Sequence, residues 1–343
     1  MSARLTLHSA GAGVTVQDMG RPGALAQGLS RGGAADRLAL IEAAALLNLP
    51  APVAGLEMAL MGTEVSVSAP MRIALTGAVM QASLNGTPVP WNTTLLLTPG
   101  DRLRIGAVKA GVYGYLTPAG GIATAPVMGA RATHLTAGIG RPLTAGDSLP
   151  LGEDPAPDTP PMVLKPGDRL TGGTLRIMPG PQTGLFDATT RDRFHATGFT
   201  RAPTGNRQGV RLDQPGAAFG TAVGSLASDI IQPGDVQMTG DGVPYVLLSE
   251  CQTMGGYPRI GTVIPADLPR VAQAAPGTDL RFVPVTVEEA DALWSDEAAQ
   301  LKALRKAATP LRRDPHDIPD LLSYQLISGM IRGDEHDEKD PGR

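Results

Sequence analysis

Short runs of valine, leucine and isoleucine alternate with glycine- and proline-rich turns along almost the whole chain. The same turn grammar recurs: PGD at 99–101, 166–168 and 233–235, PGT at 276–278 and AGD at 145–147, each with an apolar residue close behind. Proline presets φ at the second turn position and glycine accepts a positive φ at the third, the requirement of a type II turn. With 43 glycines and 31 prolines the two make up about 22% of the chain, below the ~25–30% of low-complexity sequence. They punctuate apolar strands instead of diluting them. Many short strands between such turns indicate an all-β barrel or sandwich. The turn spacings are irregular, which argues against a solenoid.

The length of 343 residues suggests about two domains at ~100–200 residues each. A single cysteine, Cys251, excludes an intramolecular disulfide and any zinc site with two cysteine ligands from one chain. The N-terminal MSARLTLHSAGAG lacks the apolar core of a signal peptide, and no apolar run reaches the ~18 residues of a membrane span. The expectation is a cytoplasmic protein with no membrane contact. A net charge of −4 argues against a nucleic-acid partner.

The spacing predicts strands at Glu64–Val67, Arg72–Thr76, Thr94–Leu97, Leu103–Ile105 and Val112–Thr117. A second group covers Leu175–Met178, Asp235–Met238, Tyr245–Leu248, Gly261–Ile264 and Leu280–Val283. Asn85-Gly86 reads as a hairpin tip. Helices are expected at Ala34–Leu49, Leu185–His195, Val287–Ala308 and Leu321–Ile331. The prolines of GEDPAPDTPPMVLKP favour an extended spacer. The expected organisation is therefore a first barrel half at 1–152, a linker at 153–172, a second barrel half at 173–285, and a C-terminal helix with an acidic tail at 286–343. Late strands returning to the first barrel would make the domains discontinuous. The stripe Leu321–Ile331 is expected to support self-association or partner binding.

Several catalytic patterns fail on context. GLSRG at 28–32 fits the nucleophile elbow, but GALAQ before it is a poor strand and no α/β pattern surrounds it, so it reads as a glycine turn. No phosphate loop, dinucleotide fingerprint or H-E-x-x-H occurs, and the five histidines are scattered, so no metal site is expected. Three polar clusters remain, each also readable as turn capping or solvated loop. VQDMGRPG at 16–23 brings Gln17, Asp18 and Arg21, with Asp36 and Glu57 following in GGAADR and GLEMAL. SECQTMGGYPRIGTV at 249–263 offers Gln252, Thr253 and Tyr257, suited to orient a small amide. GNRQGVRL at 205–212 offers Arg207 and Arg211, suited to a carboxylate or phosphate.

Taken in order, VQDMGRPG, GGAADRLAL, GLEMAL, ALTGA, YLTPAGGI, GARATHL, MPGPQTGLF, NRQGVRL and QTMGGYPRIGTVIPADL resemble the biotin-dependent carboxyltransferase family, which takes in the second subunit of allophanate hydrolase and the C subunit of 5-oxoprolinase. The resemblance runs from about residue 4 to 290. It implies two cyclophilin-like β-barrels with a few peripheral helices. It also implies one component of an ATP-dependent 5-oxoprolinase acting on a small amide with companion subunits, ATP and magnesium sitting at a partner or shared interface. Under it, Asp18, Asp36, Glu57 and Arg207 are catalytic candidates, and Gln17, Arg21, Arg211, Gln252, Thr253 and Tyr257 are substrate-binding candidates. One alternative is the carboxyltransferase of a biotin-dependent urea or amide carboxylase. Lys109 in AVKAG and Lys165 in VLKPG are not biotinyl-lysine contexts, so biotin would arrive on another protein. A second alternative is a regulatory protein that antagonises a kinase inhibitor.

Overall fold

The structure, a computed structural model, describes residues 3–220 and 226–312. The expected helix Leu321–Ile331 and the acidic terminus lie outside the described residues.

The fold is mainly β, in two halves. The first is an antiparallel sheet of eleven strands whose main path runs Thr309–Pro310, Met162–Val163, Thr93–Leu97, Met71–Leu84, Leu103–Pro118, Thr63–Val67, Arg4–Ala10, Ser148–Pro150. Its spine is the pair Met71–Leu84 and Leu103–Pro118, in register from Ile73↔Pro118 to Leu84↔Leu103 with bulges between. The two strands expected at 103–105 and 112–117 are thus one element. The bulges carry it through GAVKAG, a stretch that reads as an interruption. Among the described residues this path does not close.

The second half closes into a barrel of seven strands: Gly173–Met178, Arg259–Val263, Asp235–Met238, Pro244–Leu247, Gly209–Asp213, Gly198–Gly205 and Asp279–Pro284. The closing pair is parallel, Gly173–Met178 against Asp279–Pro284, while the other barrel pairs are antiparallel.

Turn chemistry behaves largely as the sequence implies. Gly100, Gly146, Gly234 and Gly277 all take positive φ. Gly167 of the remaining PGD does not; at φ −71° it precedes a 3₁₀ turn, Asp168–Thr171. At the hairpin tip Asn85 and Gly86 both have positive φ, 52° and 84°, which gives the twist-matched tight turn between Leu84 and Thr87.

Five α-helices are described: α1 Arg37–Leu46, α2 Ala188–Ala196, α3 Leu268–Gln273, α4 Val287–Ala292 and α5 Glu297–Ala307. Asp36 caps α1 by accepting from the Ala39 N–H. The expected helix Val287–Ala308 is two helices. Thr286 and Glu289 form a capping box on α4, and Asp296 caps α5 by accepting from the Ala299 N–H, so the chain restarts at 296.

Two cores result. One fills the first sheet and takes in Leu46, Leu47 and, from α5, Leu301. The other fills the barrel around Phe194, Phe199, Phe219 and Phe282, but it also takes Ala39 and Leu40 of α1 and Val112, Tyr113 and Tyr115 of the first sheet's long strand. The halves therefore share a core. The segment expected as a linker contributes too: Val163 pairs with Thr93, and Arg169 is buried against α1. Beyond the barrel, Thr309–Pro310 pairs with Met162–Val163.

Candidate functional site

A buried polar network fills the seam between the halves. Arg207 is its centre. Its Nε donates to Glu250 Oε1 at 2.6 Å, and its other nitrogens donate to Glu57 Oε1 and to the Gly33 carbonyl. Glu57 Oε2 accepts from Tyr115 Oη at 2.7 Å and from the Ala35 N–H at 2.8 Å. Tyr115 Oη in turn accepts from the Asp36 N–H at 2.8 Å. Asp36 Oδ2 accepts from Arg169 Nε at 2.7 Å and Gln273 Nε2 at 2.8 Å, and Arg169 makes a two-bond fork with Glu42.

Electrostatics follow from this packing. Burial works against the Arg207 cation, but Glu57 and Glu250 more than offset it and its pKa is raised. Arg169 is raised in the same way by Asp36 and Glu42. Burial, and then the Glu57 charge, push the Tyr115 phenol well above its ordinary range, so it remains a donor.

Three catalytic candidates are thus brought together, but not as free acids or bases. Asp36 and Glu57 are fully buried, with both oxygens of each engaged, and Arg207 is spent on two carboxylates and a carbonyl. Their joint effect is to hold the segment 31–37 from beneath, at the Gly33 carbonyl, the Ala35 N–H and the α1 cap. Gly33 itself must be glycine. It sits at φ +81°, and a Cβ there would meet Gly20 N at 2.6 Å. Asp18, the fourth candidate, accepts from the Gly20 and Arg131 N–H groups and shapes a separate shallow cleft beside Gly120–Ala123.

The substrate-binding candidates are dispersed. Arg21 is buried and donates to the Val127 and Ala132 carbonyls, pinning that loop, while Gln17 donates to Thr15 and the Thr133 carbonyl. Both brace the framework, and Gln17 Oε1 and Arg21 Nη1 are buried without a hydrogen-bond partner. Arg211 pairs with Asp213 on the outside of the barrel. Thr253 donates to the Gly28 carbonyl. Gln252 and Tyr257 line a cavity of about 410 Å³, together with Gln237, whose buried Nε2 has no hydrogen-bond partner.

A larger cavity of about 780 Å³ lies between the halves. The segment 31–37 forms one wall, Leu248, Ser249 and Leu268 the other, and the α4–α5 junction with Trp294 covers it. Gly32 donates its N–H to the Ser249 carbonyl at 3.0 Å, joining the two walls. Arg31 and Arg37 both donate to Glu297 Oε1 here. Sequence reasoning passed over Arg31, Arg37 and Ser249 inside GLSRG, GGAADR and SECQTMGGYPRIGTV and missed Glu297, because three separated segments bring the four together and no local pattern announces that. Glu250 was legible only as a carboxylate after a strand.

The serine of GLSRG has a histidine partner after all: Ser30 Oγ lies 2.9 Å from His134 Nε2. His134 Nδ1 faces the Ala137 N–H at 3.2 Å, a donor it shares with the His134 carbonyl, and lies 3.8 Å from Glu250 Oε2. Burial lowers the His134 pKa and keeps the ring neutral. The segment ahead of Ser30 is the 3₁₀ turn Ala24–Gln27 in place of the buried strand that a nucleophile elbow needs.

Comparison with known proteins gives a consistent picture. The family model "Carboxyltransferase domain, subdomain A and B" matches residues 27–284. The C subunit of the 5-oxoprolinase of Escherichia coli K12 is 37% identical over 290 residues, which cover 83% of this chain and 93% of that protein. The solved structure of TTHA0988 is 31% identical and superposes with a TM-score of 0.74 over 82% of this chain and 56% of its own. The K. lactis urea amidolyase superposes with a TM-score of 0.79 at 24% identity, over 92% of this chain and 21% of that one, a likeness of fold. The chain thus spans about half of the first of these solved structures and a fifth of the second.

Proposed function

Since the chain belongs to the family of carboxyltransferase domains with subdomains A and B, we propose that it is the C subunit of a 5-oxoprolinase, working in an assembly with companion subunits. The observation that carries this is the 37% identity to the C subunit of a 5-oxoprolinase across 93% of that protein.

A five-membered lactam is a stable amide, so its opening at useful rates calls for coupling to ATP. The reaction we envisage transfers the γ-phosphoryl group of ATP to the amide oxygen with release of ADP, adds water to the activated carbon, expels inorganic phosphate and breaks the ring C–N bond to release glutamate. This chain's part is to supply the cavity between the halves, where the clamp of Arg31 and Arg37 holds substrate charge. Asp36, Glu57 and Arg207 are positioning residues that fix the cavity wall. The sequence carries no glycine-rich phosphate loop, and we place the nucleotide on a companion subunit or at a shared interface. Asp36 and Glu57 do not suit a magnesium ion, since they are committed to arginines, a tyrosine and backbone N–H groups. Among the described residues no group of three His, Cys, Asp or Glu side chains stands ready for a metal. Among the described residues no helix is long and apolar enough to cross a membrane.

The test is glutamate release from 5-oxoproline with ATP, measured for the purified chain and for the chain with its companions. The chain alone should give none and the assembly should turn over. Robust turnover by the chain alone overturns the subunit reading. An assembly that leaves 5-oxoproline intact but carboxylates urea from carboxybiotin points to the carboxyltransferase reading instead.

A further inference from the structure

We propose that the cavity between the halves binds a small cyclic carboxylate of the 5-oxoproline type, its carboxylate held by Arg31 and Arg37 in the position that Glu297 now occupies. The class of ligand rests on the functional reading above; the site rests on the geometry.

Two guanidinium groups converge on one carboxylate oxygen. Arg31 Nη2 lies 3.2 Å from Glu297 Oε1, and Arg37 Nη2 meets the same atom. The clamp therefore carries one positive charge in excess. Arg37 Nε is buried without a hydrogen-bond partner. Burial, and then the Arg31 charge, lower the Arg37 pKa against the pull of Glu297, so the cation is under-compensated. A ligand carboxylate would bring two oxygens to two forks, the geometry that arginine recognises best.

The rest of the cavity suits a compact ring. Leu38, Ile41, Leu248 and Leu268 give it apolar walls. Ser249 also lines it, while its hydroxyl is buried beneath the wall without a hydrogen-bond partner. The Ser249 backbone is tied to the opposite wall, because Gly32 N–H donates to the Ser249 carbonyl.

Glu297 is placed to give way. It begins α5, immediately after the break at Ser295–Asp296, and its side chain is 43% exposed. Beside it, Leu293 and Trp294 are exposed on the cavity cover. An internal carboxylate that occupies the clamp lowers the apparent affinity for an external one by the fraction of time the clamp is filled.

The experiment is calorimetric titration of the full chain with 5-oxoproline, with 2-pyrrolidinone, which lacks the carboxylate, and with inorganic phosphate. Wild-type protein should bind 5-oxoproline and not 2-pyrrolidinone. Glu297→Gln should tighten 5-oxoproline about tenfold. Arg37→Met, and Arg31→Met as the more exposed second variant, should each weaken it at least about tenfold. A Glu297→Gln protein that melts lower without binding more tightly would give Glu297 a structural role and overturn the proposal. Equal binding of 2-pyrrolidinone, or phosphate binding more tightly than 5-oxoproline, would overturn it as well. The two readings fail separately. An active assembly whose KM for 5-oxoproline ignores Glu297→Gln and Arg37→Met sinks the site and keeps the subunit assignment. A chain that binds as described in an assembly without turnover does the reverse.

Discussion

Arg207 joins the two halves through one side chain, reaching Glu250 within its own half and Glu57 and Gly33 in the other. Removing one member of a buried ion network costs about 3–5 kcal/mol, because the charges left behind stay desolvated. Arg207→Met should therefore lower the melting temperature by several degrees, and Glu57→Gln by less, since the amide keeps hydrogen bonds to its neighbours. A melt of Arg207→Met that overlays wild type would show that the network contributes nothing. This reverses what the sequence suggests. From GNRQGVRL alone Arg207 belongs in a solvent-facing cleft, where substitution would leave stability intact. The motif does single out the right residue. Its surroundings stay illegible because its partner Glu57 lies 150 positions away, just as Asp36 and Arg169 lie 133 apart. Pairings of that separation are set by the fold and leave no local pattern.

Elements built on turn and cap chemistry were the readable ones. Asn85-Gly86 forms the tight hairpin its sequence announces, and Asp235–Met238 matches its expected bounds. Gly86 has no heavy atom within 4 Å of where a Cβ would stand, so its glycine is needed for backbone geometry alone. Gly86→Ala should cost about 1–2 kcal/mol, the penalty of a side chain in the left-handed region. A thermal melt checks this, and an unchanged midpoint would mean that the turn relaxes to another type. The unreadable elements share a different trait. Gly55–Ala59 and Gly209–Asp213 are strands that carry Glu57 and Arg211, so they looked like polar loops. Glu57 is satisfied by the distant Arg207 and Tyr115, while Arg211 points outward beside Asp213 of its own strand, so strand pairing outweighs local propensity. The split between α4 and α5 was missed because the apolar spacing continues across Ser295-Asp296 while the Asp296 cap interrupts the backbone.

For the molecule as a whole, the shared core argues that the halves are one cooperative unit. Val112, Tyr113 and Tyr115 belong to a strand of the first sheet yet pack in the barrel's core, and Arg169, from the expected linker, is locked to α1. Differential scanning calorimetry of the chain should show one transition with equal calorimetric and van't Hoff enthalpies. Two resolved transitions would mean that the seam is weaker than its packing implies. Two β-rich halves were visible in the sequence, but their fusion was not, since nothing local marks a residue that is buried against the other half. The order of strands has a consequence for synthesis. The barrel closes only when Asp279–Pro284 pairs with Gly173–Met178, and the first sheet gains its outermost strand only from Thr309–Pro310. A chain emerging from the ribosome N-terminus first thus has no finished unit to set aside early. Its first half must wait, with an unpaired edge, until translation has passed residue 310.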